Sequence, residues 1–243
     1  MGKSIFDGLV KSGNFDEEDF LLSTDEKNNA AVVEASDVVI LAVKPKDFPD
    51  VLHRIRNSLS DNKILISVAA GVDIEEIKGY LGKNIPIVRV MPNIFASVCE
   101  SMSCWVKSDE VLPHHEETVK LILKSIGDEI LLEDEKLFGV VTVVSGSGPA
   151  YFLYLGELLL KFSKDSGLKP DVAEKLVRQT ILGTSKNLSE SKESFNSLRN
   201  SITSRGGVTE EVFKSLHSKN FDKIFLEALI AGRFKASLGD SKK

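Results

Sequence analysis

The 243-residue sequence has few cysteines, few aromatic residues and only a small excess of negative charge. Its two cysteines, Cys99 and Cys104, are too few for a disulfide framework and lack the C-x-x-C spacing of metal or redox sites. The net charge of −5 arises from 31 basic and 36 acidic residues. A nucleic-acid-binding protein needs a basic surplus on one face, so we expect no nucleic-acid partner.

Long apolar runs are also missing from the sequence. The longest, such as 38–43 and 64–70, fall far short of the roughly 20 residues that a bilayer-spanning helix needs. The first residues lead into an amphipathic pattern, so no cleavable signal is visible. We therefore expect a cytoplasmic protein without membrane contact, and nothing in the sequence requires a metal.

The first half of the chain alternates short apolar runs with helical patterns. Three runs, 38–43, 64–68 and 85–91, are rich in β-branched residues and show no polar alternation. Such runs are typical of strands buried on both faces of a mainly parallel sheet. Asp73 is placed to cap the helix that follows the second run. This order predicts a doubly wound α/β domain with right-handed crossovers.

From about Glu133 the pattern becomes purely helical. Helical periodicity extends over 150–165, 170–188, 209–216 and 221–238. We expect Gly167 to end the first of these helices and Gly183 to interrupt the second. The polar segment 189–200 is predicted to be a loop or a weak helix.

These patterns place a domain boundary near Leu132. Residues 1–132 then form the α/β domain, and residues 133–243 form an all-helical second domain. A single continuous α/β domain is the alternative.

Distinctive residues follow each predicted strand, where ligands bind in open parallel sheets. The segments are Ala-Val-Lys-Pro at 42–45, Val-Ala-Ala-Gly at 68–71 and Met-Pro-Asn at 91–93. Small residues there allow a flat ligand to lie close to the backbone, and Lys44 and Asn93 add hydrogen-bond donors. The alternative is that Pro45 and Pro92 merely end strands.

Two glycine clusters lie in the second half, at 145–151 and 203–209. A glycine turn that opens a helix presents free backbone N–H groups and the positive end of a helix dipole, which favour a carboxylate or phosphate. Neither cluster has the lysine of a P-loop, so a small carboxylate is the expected ligand. Alternatively, each cluster is only a glycine-permitted turn with hydroxyl capping.

Taken together, the segments 42–45, 69–71, 91–93, 145–151 and 203–209 resemble those of the pyrroline-5-carboxylate reductases over essentially the whole chain. The resemblance implies reduction of 1-pyrroline-5-carboxylate to L-proline with NADPH or NADH, the last step of proline biosynthesis. It also implies a Rossmann-like domain and a helical domain that interlocks with a partner in a homodimer. In this family, dimers often assemble further into decamers, as a pentamer of dimers.

The resemblance also assigns roles to individual residues. The implied cofactor contacts are Asn29 at the adenosine ribose, with Val43, Lys44, Pro45, Ala70 and Asn93. The implied substrate contacts are Ser204, Gly206, Gly207, Val208 and Thr209. Thr209 and Glu135 are the implied catalytic pair: Thr209 hydrogen-bonds the ring nitrogen and Glu135 stabilises its positive charge. Without the resemblance, Glu135 reads as a solvated acid and Thr209 as a helix N-cap.

The sequence departs from the family pattern near its start. The family begins with a strand and a glycine-rich turn, whereas residues 1–4 here already match the helix that follows them. Residues 20–24 are expected to form one strand, which is followed almost directly by the helix at 30–35. A crossover that joins two parallel strands through a helix needs about a dozen residues or more, so this segment is too short to contain the family's full arrangement. One helix and one strand are therefore expected to be missing, with weak dinucleotide binding and a retained proline site.

This departure leaves several interpretations open. The chain either lacks segments of a complete enzyme or is a non-catalytic homologue that serves as a dimeric binding or structural protein. A third possibility is another imine- or hydroxyacid-reducing dehydrogenase, although no motif surrounds the helical lysines Lys161 and Lys186. The sequence does not determine the choice between NADPH and NADH.

Overall fold

The structure, a computed structural model, describes residues 1–24 and 28–238 of the chain. The helices are α1 Gly2–Lys11, α2 Asn29–Glu34, α3 Phe48–Ile55, α4 Ile74–Leu81, α5 Pro113–Ser125, α6 Phe138–Val141, α7 Gly148–Asp165, α8 Pro170–Glu190, α9 Phe195–Ser201, α10 Val208–Ser218 and α11 Phe221–Leu238. The strands are β1 Val38–Leu41, β2 Ile64–Ser67, β3 Ile87–Met91, β4 Ser101–Lys107 and β5 Gly127–Leu131. Two compact units are present: residues 1–149 together with 232–238, and residues 150–231.

The first unit contains a five-stranded sheet in the order β1-β2-β3-β4-β5. Strands β1, β2 and β3 pair in parallel, as the three apolar runs predicted. Strand β4 is antiparallel to β3, and β5 is parallel to β4. The sheet is therefore mainly parallel, and the predicted Rossmann-like fold of this half is confirmed.

Strands β2 and β3 are buried on both faces of the sheet, whereas β1 is half-buried except at Leu41. Ile87 and Met91 of β3 lie in a core with residues of α3 and α4, whereas Val88 and Val90 lie in a second core with residues of α1 and α5. Helices cover both faces, so apolar side chains are favoured at most positions of these strands. This explains why the runs show no polar alternation.

The expected strand at residues 20–24 does not form. This segment is irregular, and the side chains of Leu21 and Leu22 are largely exposed. Within the described residues, β1 pairs only with β2, so residues 20–24 have no neighbouring strand to complete their backbone hydrogen bonds. The helix expected at 30–35 is present as α2.

The second half is helical, as predicted. Gly167 has a φ of 94° directly after α7, so it provides the expected stop. The interruption expected at Gly183 is wrong, because α8 continues through it to Glu190. An isolated glycine weakens a helix by only about 1 kcal/mol, which the rest of a 21-residue helix tolerates. The domain boundary at Leu132 stays a prediction.

One helical run is much longer than the sequence patterns indicated. Residues Glu135–Asp165 form 31 continuous helical residues that, by length and composition alone, could cross a membrane. Only 17% of its most apolar 18-residue segment is buried. Phe152, Leu153 and Phe162 are among the exposed side chains of the run. The expectation that every apolar segment is shorter than a bilayer-spanning helix is therefore wrong for this run. The absence of a membrane partner stays a prediction.

Candidate functional site

The ends of β1 and β2 present small or exposed residues. Ala42 and Lys44 are exposed after β1, Val43 is half-buried, and Ala70 is exposed after β2. Pro45 begins a short 3-10 turn in which the Asp47 N–H donates to the Lys44 carbonyl oxygen at 2.9 Å. These residues therefore leave backbone and small side chains open at the carboxyl edge of the sheet, where ligands of this fold bind.

The first turn of α1 lies beside the end of β1. A Cβ atom on Gly2 would lie 3.1 Å from the Cβ of Ala42, so a larger residue would crowd this approach. Within residues 1–24 and 28–238, no side-chain hydrogen bond caps the start of α1. Uncapped N–H groups and the positive end of the helix dipole favour phosphate oxygens. The glycine, the small strand-end residues and the uncapped helix together fit a nicotinamide dinucleotide.

Asn93 has a different environment from the one expected for a cofactor donor. It is buried, and its Oδ1 accepts from the Phe95 N–H at 3.0 Å. Its Nδ2 donates to the Ser145 carbonyl oxygen at 3.3 Å, and its own N–H donates to Ser101 Oγ at 3.0 Å. Asn93 therefore holds protein segments together, and its cofactor contact stays a prediction.

The first glycine cluster is not a free helix start. Residues Thr142–Gly146 form a π turn within the continuous run, and the Ser147 N–H donates to the Thr142 carbonyl oxygen at 2.8 Å. α6 and the π turn lead into α7 through a bend at Ser147, so the anion cradle expected at 145–151 stays a prediction. Ser145 Oγ donates to the Met102 carbonyl oxygen at 3.1 Å, which anchors the turn to β4.

Glu135 is paired with a buried arginine and is not a freely solvated acid. Arg89 Nη1 lies 2.7 Å from Glu135 Oε1, and the Arg89 guanidinium lies 4.3 Å from the centre of the Phe138 ring. The Ile74 N–H donates to the same oxygen at 3.2 Å. Arg89 was not predicted as a site residue, although it is the single charge within the apolar run 85–91.

Asn29 is the first residue of α2, and its Oδ1 accepts from Ser23 Oγ at 2.7 Å. Its side chain is half-buried, so part of it stays accessible. The ribose contact implied for Asn29 stays a prediction.

The second glycine cluster forms a tight turn before α10. Gly206 has a φ of 71°, and the Gly207 N–H donates to the Ser204 carbonyl oxygen at 3.0 Å. A Cβ atom on Gly207 would lie 2.3 Å from Ser204 Oγ and 3.0 Å from the Ser204 carbonyl oxygen, so a larger residue would require the Ser204 side chain to move. The positive φ of Gly206 favours glycine at that position.

One N–H group of this turn is occupied by an acidic side chain. The Gly206 N–H donates to Glu210 Oε2 at 2.6 Å. This hydrogen bond, followed by the hydrogen bond and charge of Lys214, lowers the pKa of the Glu210 carboxyl below its usual value. In the described part of the chain, the N–H groups of Val208 and Thr209 have no acceptor. They are the groups that an external carboxylate could use.

Thr209 is not the helix N-cap. Gly207 occupies that position, and Thr209 lies in the first turn of α10. Its side chain is half-buried, and its hydroxyl makes no hydrogen bond within the described residues. The N-cap reading of Thr209 is therefore wrong, and its hydroxyl is available to a ligand.

No group of three or more His, Cys, Asp or Glu side chains that could hold a metal occurs in residues 1–24 or 28–238. The cysteines are both free thiols, and burial raises the pKa of the Cys104 thiol.

Two family sequence models match the chain. The family described as pyrroline-5-carboxylate reductase dimerisation matches residues 135–237. The family described as NADP oxidoreductase, coenzyme F420-dependent, matches residues 1–71. The first match covers most of the helical half, and the second covers α1 to the end of β2.

Similar proteins agree with these matches. Pyrroline-5-carboxylate reductase of Staphylococcus epidermidis is 30% identical over 94% of this chain and 90% of its own length. Pyrroline-5-carboxylate reductase 2 of Bacillus subtilis is 30% identical over 94% of this chain and 88% of its own length.

Solved structures show the same relationship. The Plasmodium falciparum pyrroline carboxylate reductase with NADP bound has a TM-score of 0.88 at 28% identity, covering 98% of this chain and 93% of its own. The enzyme of Coxiella burnetii has a TM-score of 0.86 at 31% identity, covering 99% of this chain and 95% of its own. The chain belongs to the pyrroline-5-carboxylate reductase family.

Proposed function

We propose that this chain reduces 1-pyrroline-5-carboxylate to L-proline with a nicotinamide cofactor. The observation that carries the proposal is the turn before α10. There the N–H groups of Val208 and Thr209 and the Thr209 hydroxyl have no hydrogen-bond partner among the described residues. Family membership supports this activity over a non-catalytic homologue or a dehydrogenase of another specificity.

The strand-end residues of the first unit hold the cofactor in this proposal. Val43, Lys44 and Pro45 after β1 and Ala70 after β2 line it, and Asn29 contacts the adenosine ribose. A bound NADPH or NADH supplies the hydride. Lys44, whose side chain is exposed, offers a positive charge to the phosphates. Asn93 also contacts the cofactor in this proposal, in addition to the hydrogen bond by which its side chain holds the Ser145 carbonyl oxygen at the end of β3.

The turn before α10 binds the substrate. The N–H groups of Val208 and Thr209 donate to the substrate carboxylate at the positive end of the α10 dipole. Ser204, Gly206 and Gly207 shape the turn so that these two groups point outward. Because Glu210 already occupies the Gly206 N–H, the carboxylate depends on the groups nearer the helix.

Two side chains act on the ring nitrogen. The free Thr209 hydroxyl hydrogen-bonds this nitrogen and keeps its proton in place while the neighbouring carbon accepts the hydride. Glu135 stabilises the positive charge through Oε2, since its Oε1 is engaged by Arg89 and by the Ile74 N–H. Positioning of the two ligands supplies most of the acceleration.

The helical half forms a homodimer, and dimers assemble into a decamer in the cytoplasm. The large apolar side chains of α7 and α11 that are exposed in the single chain support this assembly, for example Phe152, Phe162, Ile230 and Phe234. A surface this apolar is typical of an interface with another protein or a membrane. The described role of the matching family, dimerisation, favours a second copy of the chain.

The activity is tested by following oxidation of NADPH and of NADH with 1-pyrroline-5-carboxylate. Substrate-dependent oxidation that yields proline supports the proposal. Proline binding without turnover would instead identify a non-catalytic homologue. Turnover of a hydroxyacid without activity on the pyrroline would identify a different dehydrogenase.

A further inference from the structure

Arg89 is a charged residue at the centre of the sheet. It is the middle residue of β3 and is only 7% exposed. Its partners across the sheet are Ser67 of β2 and Val106 of β4, which are both buried. A guanidinium in this environment loses nearly all of its hydration, so its contacts must compensate.

The Arg89 guanidinium makes two contacts with the start of the Glu135–Asp165 run. Nη1 pairs with Glu135 Oε1 at 2.7 Å, and the group lies 4.3 Å from the centre of the Phe138 ring. Glu135 Oε1 also accepts from the Ile74 N–H, the first residue of α4. One carboxylate oxygen therefore joins β3, α4 and the first turn of the run.

Stability alone does not explain this arrangement. Buried ion pairs are often no more stabilising than apolar side chains of similar volume. Arg89 Nε is also buried without an acceptor among the residues that the structure describes, and an unmet donor costs free energy. A planar guanidinium offers a defined geometry, because it fixes both a carboxylate and an aromatic ring.

A second attachment of the same run lies four residues after Arg89. Asn93 Nδ2 donates to the Ser145 carbonyl oxygen, and Ser145 Oγ donates to the Met102 carbonyl oxygen of β4. Between the two attachments the run contains the π turn Thr142–Gly146. Such turns are irregular and occur often at functional sites, so they need external support to hold one conformation.

We propose that Arg89 is a positioning residue for the reductase and acts through Glu135. It holds the first turn of the run against β3. The π turn and Ser145 thereby keep a fixed position relative to the ends of the strands. The Glu135 carboxylate is held with Oε1 toward the sheet, and Oε2 has no hydrogen-bond partner among the residues that the structure describes. This inference rests on the proposed function for its catalytic consequence, but the structural part stands without it.

The experiment uses the double variant Arg89→Met with Glu135→Met, which replaces the ion pair with apolar side chains of similar length. The control is Lys78→Met with Glu110→Met, which removes another partly buried ion pair, 3.2 Å long, in the same unit. Three quantities are measured for each: the melting temperature, cofactor affinity by fluorescence titration, and kcat and KM for 1-pyrroline-5-carboxylate. Amide hydrogen exchange of residues 135–147 provides a measurement independent of activity.

We expect the Arg89/Glu135 variant to melt close to the wild type, since apolar replacement of a buried pair is often neutral. Its amides at 135–147 should exchange faster, and its cofactor affinity should change less than about twofold. Its kcat should also fall, but Glu135 itself takes part in the proposed reaction, so the catalytic effect of Arg89 is measured in Arg89→Lys, whose kcat should fall about tenfold. The control should leave exchange at 135–147 and kcat unchanged. Unchanged exchange and kcat in the Arg89/Glu135 variant would overturn the proposal.

Two further outcomes are decided by separate measurements. If the double variant does not fold, Arg89→Lys retains the charge but not the planar stack on Phe138, and we expect faster exchange at 135–147 with an unchanged melting temperature. Wild-type exchange in Arg89→Lys would overturn the proposal. If the wild type shows no turnover, the proposed function fails, and the exchange data alone decide the role of Arg89.

Discussion

The side-chain amide of Asn93 donates to the carbonyl oxygen of Ser145 at 3.3 Å, across 52 positions of sequence. This bond ties the residue after β3 to the π turn that precedes α7. Both segments were singled out by their sequence, one as a strand end and one as a glycine cluster. The structure shows that they are parts of a single arrangement.

Thr209→Val should reduce catalysis more than stability. The substitution keeps the shape and removes a hydroxyl that has no partner within the described residues. Loss of a ligand hydrogen bond should cost about 1–3 kcal/mol of transition-state stabilisation, seen in kcat and in kcat/KM. The control is Thr184→Val, whose hydroxyl donates to the Thr180 carbonyl oxygen in an exposed part of α8. A Thr209→Val enzyme with wild-type kcat would remove Thr209 from the mechanism.

Glu210→Gln should lower KM for the substrate. The Glu210 carboxylate accepts from the Gly206 N–H beside the groups assigned to the substrate carboxylate, so its charge opposes binding. Removal of this charge should lower KM by roughly two- to fivefold at low salt, where exposed charges are least screened. Glu211→Gln, in the same helix but without a bond to Gly206, is the control. An equal effect of both variants would show only a general charge effect.

Gly8→Ala should destabilise the first unit. A Cβ atom on Gly8 would lie 2.0 Å from the Ala96 carbonyl oxygen, so α1 would have to move away from the turn Ile94–Val98. Overpacking of this kind costs about 1–3 kcal/mol, which urea unfolding measures. Gly79→Ala is the matched control, because nothing lies within 4 Å of a Cβ there. The control should be stabilised by about 0.5–1 kcal/mol, as expected for alanine in a helix.

The free energy of unfolding should fall in mild acid because His115 becomes protonated. Burial, and then the charge of His114, lowers the pKa of His115 from its ordinary value of 6.5. Its Nδ1 accepts from the Leu112 N–H at 3.2 Å, which requires the neutral ring. The unfolded chain therefore binds a proton more readily, so this contribution is present above about pH 6.5 and is lost as the pH falls toward the lower, folded-state pKa.

The acid effect is measured as the free energy of unfolding between about pH 5 and pH 8, compared with His115→Asn. Asparagine retains an acceptor for the Leu112 N–H but does not titrate, so this variant should lose less stability in acid. His53→Asn is the control, since His53 is exposed and does not contribute to the lowered pKa of His115. Parallel pH profiles for the wild type and His115→Asn would contradict the assignment.

Phe162→Gln should weaken self-association. Phe162 is 70% exposed on α7 in the single chain, among other exposed apolar residues of the same helix. If a second copy covers this face, a polar amide there disfavours the dimer at micromolar concentration. Light scattering should show a shift toward monomer, whereas the control Lys164→Gln should not change the mass. A wild-type chain that is monomeric at that concentration would exclude the dimer.

The sequence by itself determined the class of fold. Parallel β1, β2 and β3 were readable because continuous apolar runs occur only where helices cover both faces of a sheet. The helices of the second half followed from their periodicity, and the Asp73 cap followed from its position before α4, where it accepts from the Glu76 N–H. Strands β4 and β5 were missed, since β5 is an edge strand that exposes Ile130 and Leu131.

The tertiary structure alone decided how the site residues are used. Glu135 lies in an acidic run that predicts a solvated side chain. In the structure it is instead paired with Arg89, which is 46 residues away in the sequence. Asn93 and Ser145 are likewise joined across the chain, and Gly206 is bonded to Glu210 in a turn that the motif indicated only as glycine-rich. Local patterns report which face of an element is buried, because neighbouring residues share that face. Partners distant in sequence leave no local pattern, so only the folded chain determines which polar groups are occupied and which remain free for a ligand.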